Sequence, residues 1–416
     1  MEQNELIPHL FRTEYRKIVA VLVRMFGIEH IETAEDIVSD TFLRATELWG
    51  LKGLPHNPTA WLYTVAKNKT KDFLKRNALF AQKISVELKH RTKALEEIEI
   101  DLSGKNINDS QLAMMFAVCH PCVSAESQIA LSLNLLCGFG VEEIAEAFLT
   151  SKDVIYKRLN RAKEKLKAEK VSIHQPTVAE INERLSTVLT TLYLLFNEGY
   201  YSSSQNNTLR KDLCLEAMRL TLVLIENEIT NKPAANALLS LMCFHASRFE
   251  ARMDQNGEII LYEDQDTNLW DRELIAKGEY YLKLSSREKP PLSKYHVEAA
   301  IAYWHTQKKD TDEKWSSILQ LYNRLLQIEY SPIAALNRTY ALAKAQGNEE
   351  AIVEAEKLML SGNHLYHSLM GHLYTDIDNK KALYHFEAAL DLAKSAAEKS
   401  IISKNINRLT GTMTRN

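Results

Sequence analysis

The amino-acid sequence predicts an all-α fold, and three observations carry that expectation. Apolar residues recur at i, i+3, i+4 and i+7 through most of the chain rather than in strict alternation. Only 13 Gly and 9 Pro interrupt 416 residues, and segments rich in Leu, Ala, Glu and Lys dominate between them. Helix-start signals, a Ser, Thr, Asp or Asn ahead of an apolar run, stand where the periodic segments begin. The expected organisation is a small helical domain over 1–80, a linker over 81–108, a helix-turn-helix domain over 109–172 and a larger helical domain over 173–416.

In the first domain a helix spans about Leu6–Phe26. Thr33 heads the run Thr33-Ala34-Glu35-Asp36 and is placed to cap a second helix reaching about Trp49. Ile37, Thr41, Phe42, Ala45 and Leu48 follow helical spacing there, with Asp36, Asp40 and Glu47 on the polar side. Two Gly and two Pro mark a loop from Gly50 to Pro58. A third amphipathic helix begins at Trp61. Trp61, Leu62, Val65, Ala66, Phe73 and Leu74 are its apolar set, while Lys67, Lys69, Lys71, Lys75 and Arg76 make it cationic. Rings beside a Lys/Arg stripe suit single-stranded DNA, where bases stack on the rings and phosphates meet the charges. Part of that aromatic set must also serve the core. The residues that follow, 81–108, are polar with weak periodicity and read as a tether.

The strongest local signal lies between Val141 and Lys170. A short acidic helix with Ile144, Ala145 and Phe148 on one face gives way to a basic one with Ile155, Leu159, Ala162 and Leu166 on one face. From Lys152 to Lys170 there are eight Lys or Arg against three acids, whereas the whole chain carries a net charge of −3. Basicity is therefore concentrated here. Two such helices joined by a short turn make a helix-turn-helix whose second helix presents its cationic side to DNA. Thr150 or Ser151 caps that helix and leaves Lys152, Tyr156, Lys157 and Arg161 free to face a groove.

In the large domain, Thr177-Val-Ala-Glu180 forms a capping box. It opens a helix with Ile181, Leu185, Val188, Leu192 and Leu195 on one face, expected to stop at Gly199. Asn256-Gly257, between short alternating segments, predicts one β-hairpin near Asp254–Tyr262. Segments beginning at Ile318, Ala351 and Ala382 resemble one another at offsets of 33 and 31. That period fits tetratricopeptide-like helix pairs, whose concave side serves to bind a protein segment.

Other classes are disfavoured. The slight net negative charge argues against uniform nucleic-acid coating and leaves room for local basic patches. The N-terminus has no basic-then-apolar signal pattern and no apolar run approaches membrane length, so a soluble cytoplasmic chain with no membrane partner is expected. Five Cys in such a chain imply no disulfide framework. Cys119-His120-Pro121-Cys122 looks like a redox or zinc half-site, but no second close pair accompanies it, and a packed helix junction is the simpler reading. Asp264, Asp266 and Asn268 have calcium-loop spacing, yet Leu269 stands where Gly is required and Ile275 where the closing acid is required. No phosphate loop, nucleophile elbow or zinc-protease helix occurs. The chain is therefore expected not to be an enzyme, with no catalytic residue, metal ligand or cofactor.

Ala34–Trp49, the Pro-rich loop and Trp61–Asn77 together resemble region 2 of extracytoplasmic-function sigma factors. Ser124–Leu166 resembles region 4 of the same family. Leu192–Tyr200, Arg210–Leu220, Tyr262–Ile275 and Ser331–Leu342 resemble the group that adds a tetratricopeptide-like C-terminal extension. The resemblance implies a dissociable subunit of bacterial RNA polymerase that directs promoter recognition. It assigns Asp36, Ser39, Asp40 and Leu43 to the β′ clamp helices of core RNA polymerase, with Ser39 standing where the family often has Gln. It implies recognition and melting of the −10 element by Asn57, Trp61, Lys67, Asn68, Lys71, Lys75 and Arg76. Region 4 would meet the β flap and read the −35 element with Ser151, Lys152, Tyr156, Lys157, Arg158 and Arg161. Tyr156 replaces a frequent Lys and Lys157 a frequent small residue, which implies a −35 preference of its own. The extension would regulate access to polymerase and offer a surface to a regulatory protein. A second reading, a stand-alone helix-turn-helix regulator with a tetratricopeptide sensor, predicts operator binding without polymerase and leaves the first eighty residues without a role.

Overall fold

The computed structural model describes residues 3–84, 100–201, 207–252, 260–287, 291–394 and 396–413. Among the described residues every regular element is helical, as expected, and the hairpin anticipated at Asn256-Gly257 lies outside them. The chain divides into two compact units, Met1–Thr230 and Asn231–Asn416.

The first unit is built on α1 (Gln3–Phe26). Its centre, Ile18-Val-Ala-Val-Leu-Val23, is apolar on every side, so a helix made of it must be covered on every side. All six residues are at most 5% exposed. One flank packs on α2 (Ile31–Lys52), where Phe11 and Tyr15 close on Phe42 at ring separations of 5.2 and 5.9 Å. Another packs on α4 (Gly104–Val118) and on the π-helical turn Ser132–Cys137 that continues α5 (Ala125–Leu131). α3 (Pro58–Ile84) lies across α2, with Trp61 edge-on to Trp49 at 5.3 Å. The helix-turn-helix follows as α6 (Val141–Ala147) and α7 (Lys152–Ala168), then α8 (Val178–Tyr201) and α9 (Asn207–Glu226).

Four expectations change here. Thr33 does not cap α2, because a 3-10 turn over Ile28–His30 behind Gly27 (φ 95°) starts the helix at Ile31 and leaves Thr33 inside it. The linker does not extend to 108. Ile100 and Leu102 are buried, and Ser103 caps α4 by accepting the Asn106 N–H at 3.3 Å. Apolar Leu112–Val118 then fills the interface with α1, a function the polar residues before it conceal. The structural division falls at Thr230 rather than at 172, because α8 and α9 pack on the helix-turn-helix body: Arg219 donates to Gln111 Oε1 at 3.0 Å and to the Leu136 carbonyl at 3.2 Å. Finally, Gly199 does not end a helix, since α8 continues to Tyr201. A Cβ at Gly199 would stand 2.6 Å from the Arg210 carbonyl oxygen and 2.7 Å from Cys214 Sγ, so the glycine permits close approach of α9. The Thr177 capping box forms as read, with Thr177 N–H on Glu180 Oε2 at 2.9 Å and Glu180 N–H on Thr177 Oγ1 at 3.3 Å.

The second unit holds α10 (Pro233–Ala246), α11 (Arg272–Ser285), α12 (Lys294–Trp304), α13 (Asp312–Ile328), α14 (Pro332–Gln346), α15 (Asn348–Glu356), α16 (His364–Tyr374), α17 (Asn379–Leu392) and α18 (Ala396–Met413). From α12 onward each helix packs on the next, and the three repeated segments begin in α13, α15 and α17, alternating with α14 and α16. Trp315, Ile318, Tyr366, Met370, Phe386 and Leu409 share one core. The acidic segment after Ile260 is pinned by lysines. Lys308 Nζ donates to the carbonyls of Tyr262, Glu263 and Gln265 at 2.9, 2.8 and 3.2 Å. Lys314, 1% exposed, donates to Tyr262 Oη, the Gln307 carbonyl and Asp310 Oδ1, so its three N–H groups are all paired. Asp266 accepts the Asn268 N–H, Glu263 bonds Tyr340 and Lys344, and Asp271 caps α11, so these three acids serve as turn and ion-pair groups.

Gly199→Ala should shift backbone at the α8–α9 contact and cost about 1–3 kcal/mol. Thermal unfolding monitored in the first unit should show a midpoint lowered by roughly 2–10 °C; an unchanged midpoint would refute the close-approach role.

Candidate nucleic-acid interface

α7 owes its position to the turn before it. Gly140 N–H bonds Glu143 Oε2 at 2.7 Å and starts α6; the Thr150 N–H closes on the Ala145 carbonyl at 2.9 Å, with Leu149 at φ 48°. Ser151 then caps α7, its Oγ accepting the Val154 N–H at 3.4 Å. Ile155, Leu159, Ala162 and Leu166 are buried beneath the helix, which turns Lys152, Tyr156, Lys157 and Arg161 outward, all exposed. Arg158 sits differently. It is half-buried, 3.1 Å from Glu126 and stacked over the Phe148 ring at 5.8 Å, so it braces the domain as well as bordering the exposed face. Lys152 makes a surface pair with Glu142 at 2.9 Å, which holds the Glu142 carboxyl below its usual range.

α2 and α3 form the second candidate surface. Asp36, Ser39, Asp40 and Leu43 are all exposed on α2. Ser39 Oγ lies 2.8 Å from the Tyr15 hydroxyl, which donates to the Glu35 carbonyl at 3.0 Å; burial pushes the Tyr15 phenol above its ordinary pKa. Between the two helices runs an open groove of about 910 Å³, with Asp36 and Asp40 on one wall, Lys69, Lys75 and Arg76 on the other and Phe73 in its lining. Lys69 reaches Asp40 across it at 3.2 Å.

On α3, Lys67, Lys71 and Lys75 follow at four-residue steps, and Trp61, Asn68 and Lys75 at seven, so all share one side of the helix. Lys67 and Lys71 are half-buried; Asn68, Lys75 and Arg76 are exposed; Trp61 is half-buried on Trp49. Asn57 has a local duty: its Oδ1 accepts the Ala60 N–H at 3.0 Å and its carbonyl the Trp61 N–H at 3.1 Å, so it caps the first turn that carries Trp61. Lys69, part of the cationic stripe read from the sequence, also lines the groove, as does Arg44, which extending the Asp36–Asp40 spacing by one turn would have found.

The Cys119–Cys122 turn lies apart, at the α4–α5 junction. Cys119 is buried with Sγ 3.5 Å from Thr191 Oγ1, and burial pushes its thiol to about 12. The Cys122 N–H donates to His120 Nδ1 at 3.3 Å. Among the described residues no three His, Cys, Asp or Glu are grouped to hold a metal ion, and no helix is long and apolar enough to cross a membrane.

Residues 10–79, the span of α1–α3, match the family described as Sigma-70 region 2. Residues 184–286 match a family of unknown function, DUF6596. Over 399 residues the chain is 33% identical to an uncharacterized protein of Rhizobium meliloti (strain 1021), a match covering 94% of this chain and 93% of that one. The chain belongs to the same family as that protein. No solved structure matches it.

Replacing Asn57 separates its cap from any base contact. Asn57→Ala should cost about 0.5–2 kcal/mol and Asn57→Ser much less, since Ser also caps. Equal losses in denaturant unfolding would show that the cap is not what Asn57 contributes to stability.

Proposed function

We propose that this chain is an extracytoplasmic-function-type sigma factor that binds core RNA polymerase and directs promoter recognition for transcription initiation. The observation that carries this reading is the sigma-70 region 2 match within α1–α3, a body whose α2 exposes Asp36, Ser39, Asp40 and Leu43 while α3 exposes Asn68, Lys75 and Arg76 beside half-buried Trp61, Lys67 and Lys71. In this reading the α2 side chains engage the β′ clamp helices, and the helix-turn-helix body engages the β flap.

Melting works by capture. Unstacking a base costs a few kcal/mol, and in this reading a pocket formed by the Gly53–Asn57 loop near Trp61 offsets that cost while Lys67, Lys71, Lys75 and Arg76 hold the backbone phosphates. Asn68 stands among them with an amide able to donate to phosphate or base. At the −35 element α7 enters the major groove with Lys152, Tyr156, Lys157 and Arg161 foremost, while Ser151 and Arg158 hold the frame. The second unit acts as a tetratricopeptide-like regulatory domain, a reading supported by the alternation of its repeated segments along α13–α17, and it offers a surface to a regulatory protein.

Run-off transcription with purified core polymerase tests the reading. Initiation at a defined promoter should require this chain, and Lys157→Ala should weaken it roughly 10- to 100-fold on the preferred −35 sequence. Specific duplex binding that needs no polymerase, with no initiation, would favour a stand-alone regulator. A chain ended at Thr230 keeps the first unit whole and should change promoter-specific output at least several-fold; unchanged output would remove the regulatory role of the second unit.

A further inference from the structure

The residues assigned to DNA so far leave part of the outer side of α7 without a role. Ile155, Leu159, Ala162 and Leu166 lie beneath the helix. A turn of about 100° per residue then puts Asp153, Lys157, Asn160, Arg161 and Glu164 on the far side, all exposed. Two of these five have local duties. Asp153 stands in the first turn, where a negative charge suits the positive end of the helix, and Glu164 lies 3.3 Å from Lys167. Several cations around them are also committed: Lys152 pairs with Glu142, Arg158 with Glu126, Lys163 with Glu35 and Lys167 with Glu32. The side chains of Lys157, Asn160 and Arg161 make no hydrogen bond or ion pair among the described residues. For a surface Lys or Arg that is ordinary. For Asn160 it is not. Asparagine is a poor helix former, because its amide competes for nearby backbone groups, and it belongs at caps and turns. Asn160 stands near the middle of a 17-residue helix. It caps neither end, and its amide does not bond the carbonyl one turn back. It weakens the helix with no return inside the fold, which is the mark of a residue kept for function.

We propose that Asn160 is a specificity-determining residue of the −35 contact and that its amide reads one adenine, an inference that rests on the sigma-factor reading above, in which α7 enters the major groove. Adenine presents there an acceptor, N7, beside a donor, the N6 amine. That pair matches the N–H and the carbonyl oxygen of a single Asn amide. Guanine offers two acceptors instead, which suit Lys157 or Arg161 and leave the Asn160 oxygen without a donor. Lys157 and Asn160 are three residues apart, roughly 4.5 Å along the helix axis. Base pairs follow one another at about 3.4 Å. With α7 lying along the groove, the adenine is therefore a neighbour of the base pair that Lys157 contacts.

The test assembles the full chain with core polymerase, offers it duplexes randomised across the promoter region, and sequences those that bind. The unsubstituted chain should select an adenine at one −35 position. Asn160→Ala should lose that preference, keep the others, and bind the selected duplex roughly 5- to 100-fold more weakly. Lys157→Ala should lose selection at an adjacent position. In the selected duplex, 7-deazaadenine at the Asn160 position keeps base pairing and lacks the N7 acceptor. It should weaken binding of the unsubstituted chain several-fold and change that of Asn160→Ala little. Ala is the better helix former, so Asn160→Ala should melt no lower than the unsubstituted chain; a lowered midpoint gives Asn160 a duty in the fold and overturns the proposal. So does the absence of a selected adenine, an adenine preference that survives in Asn160→Ala, or an equal loss with 7-deazaadenine in both chains. Repeating the selection without core separates the inference from the reading beneath it. A sequence selected only without core defeats the sigma-factor reading, and Asn160 is then judged on that sequence by the same substitutions. No selected sequence in either arm defeats both.

Discussion

The first unit depends on the burial of the α1 centre. Six successive apolar residues cannot be hidden by a single partner, so Ile18–Val23 draws α2 to one side and α4 with the Ser132–Cys137 turn to another. Each large aliphatic side chain taken fully from water contributes about 1.5–3 kcal/mol, and five of the six are of that size. The polar features around this belt follow from it. Tyr15 can reach Ser39, Arg16 can reach Glu35 and Lys163 can reach the same carboxylate because α1 has already brought α2 and the helix-turn-helix body together.

Charge is then distributed over that frame in a way the overall balance hides. With a net charge of −3, the chain still keeps two cationic surfaces, one on α3 and one on α7, opposed by the acidic side of α2. Exposed pairs such as Lys152–Glu142 add little to stability. The half-covered cluster of Arg16, Glu35 and Lys163 matters more, because a carboxylate shared by two cations is left uncompensated or crowded when either moves.

The second unit solves a different problem. Its core is shared among successive helices, with Gly371 leaving room for Phe386 where α16 meets α17: a Cβ there would stand 2.6 Å from the ring. The acidic segment before α11 carries few apolar anchors, so Lys308 and Lys314 tie its carbonyls and Tyr262 to the helices instead. A buried ammonium is tolerable only when every N–H finds an acceptor, and Lys314 meets that condition.

Much of this was legible in the residues. The helical class, the helix-turn-helix with Ser151 at its cap, the capping box at Thr177 and the exposure of Asp36, Ser39, Asp40 and Leu43 follow from spacing and from the chemistry of helix ends, which are local. Non-local matters were not. Gly199 reads as a helix stop because nothing in its neighbours announces that α9 will press against it. Thr33 reads as a cap because the turn at Gly27 that starts α2 earlier has only one glycine to signal it. The polar run before Ile100 hides the entry of α4 into the core. The sequence by itself determined which faces are apolar, basic or acidic, because each face is a matter of period. Only the tertiary structure decided which faces meet, and hence that α8 and α9 join the first unit and that Lys163 and Lys167 of α7 pair with Glu35 and Glu32 of α2, because those pairings are made between segments distant in the chain.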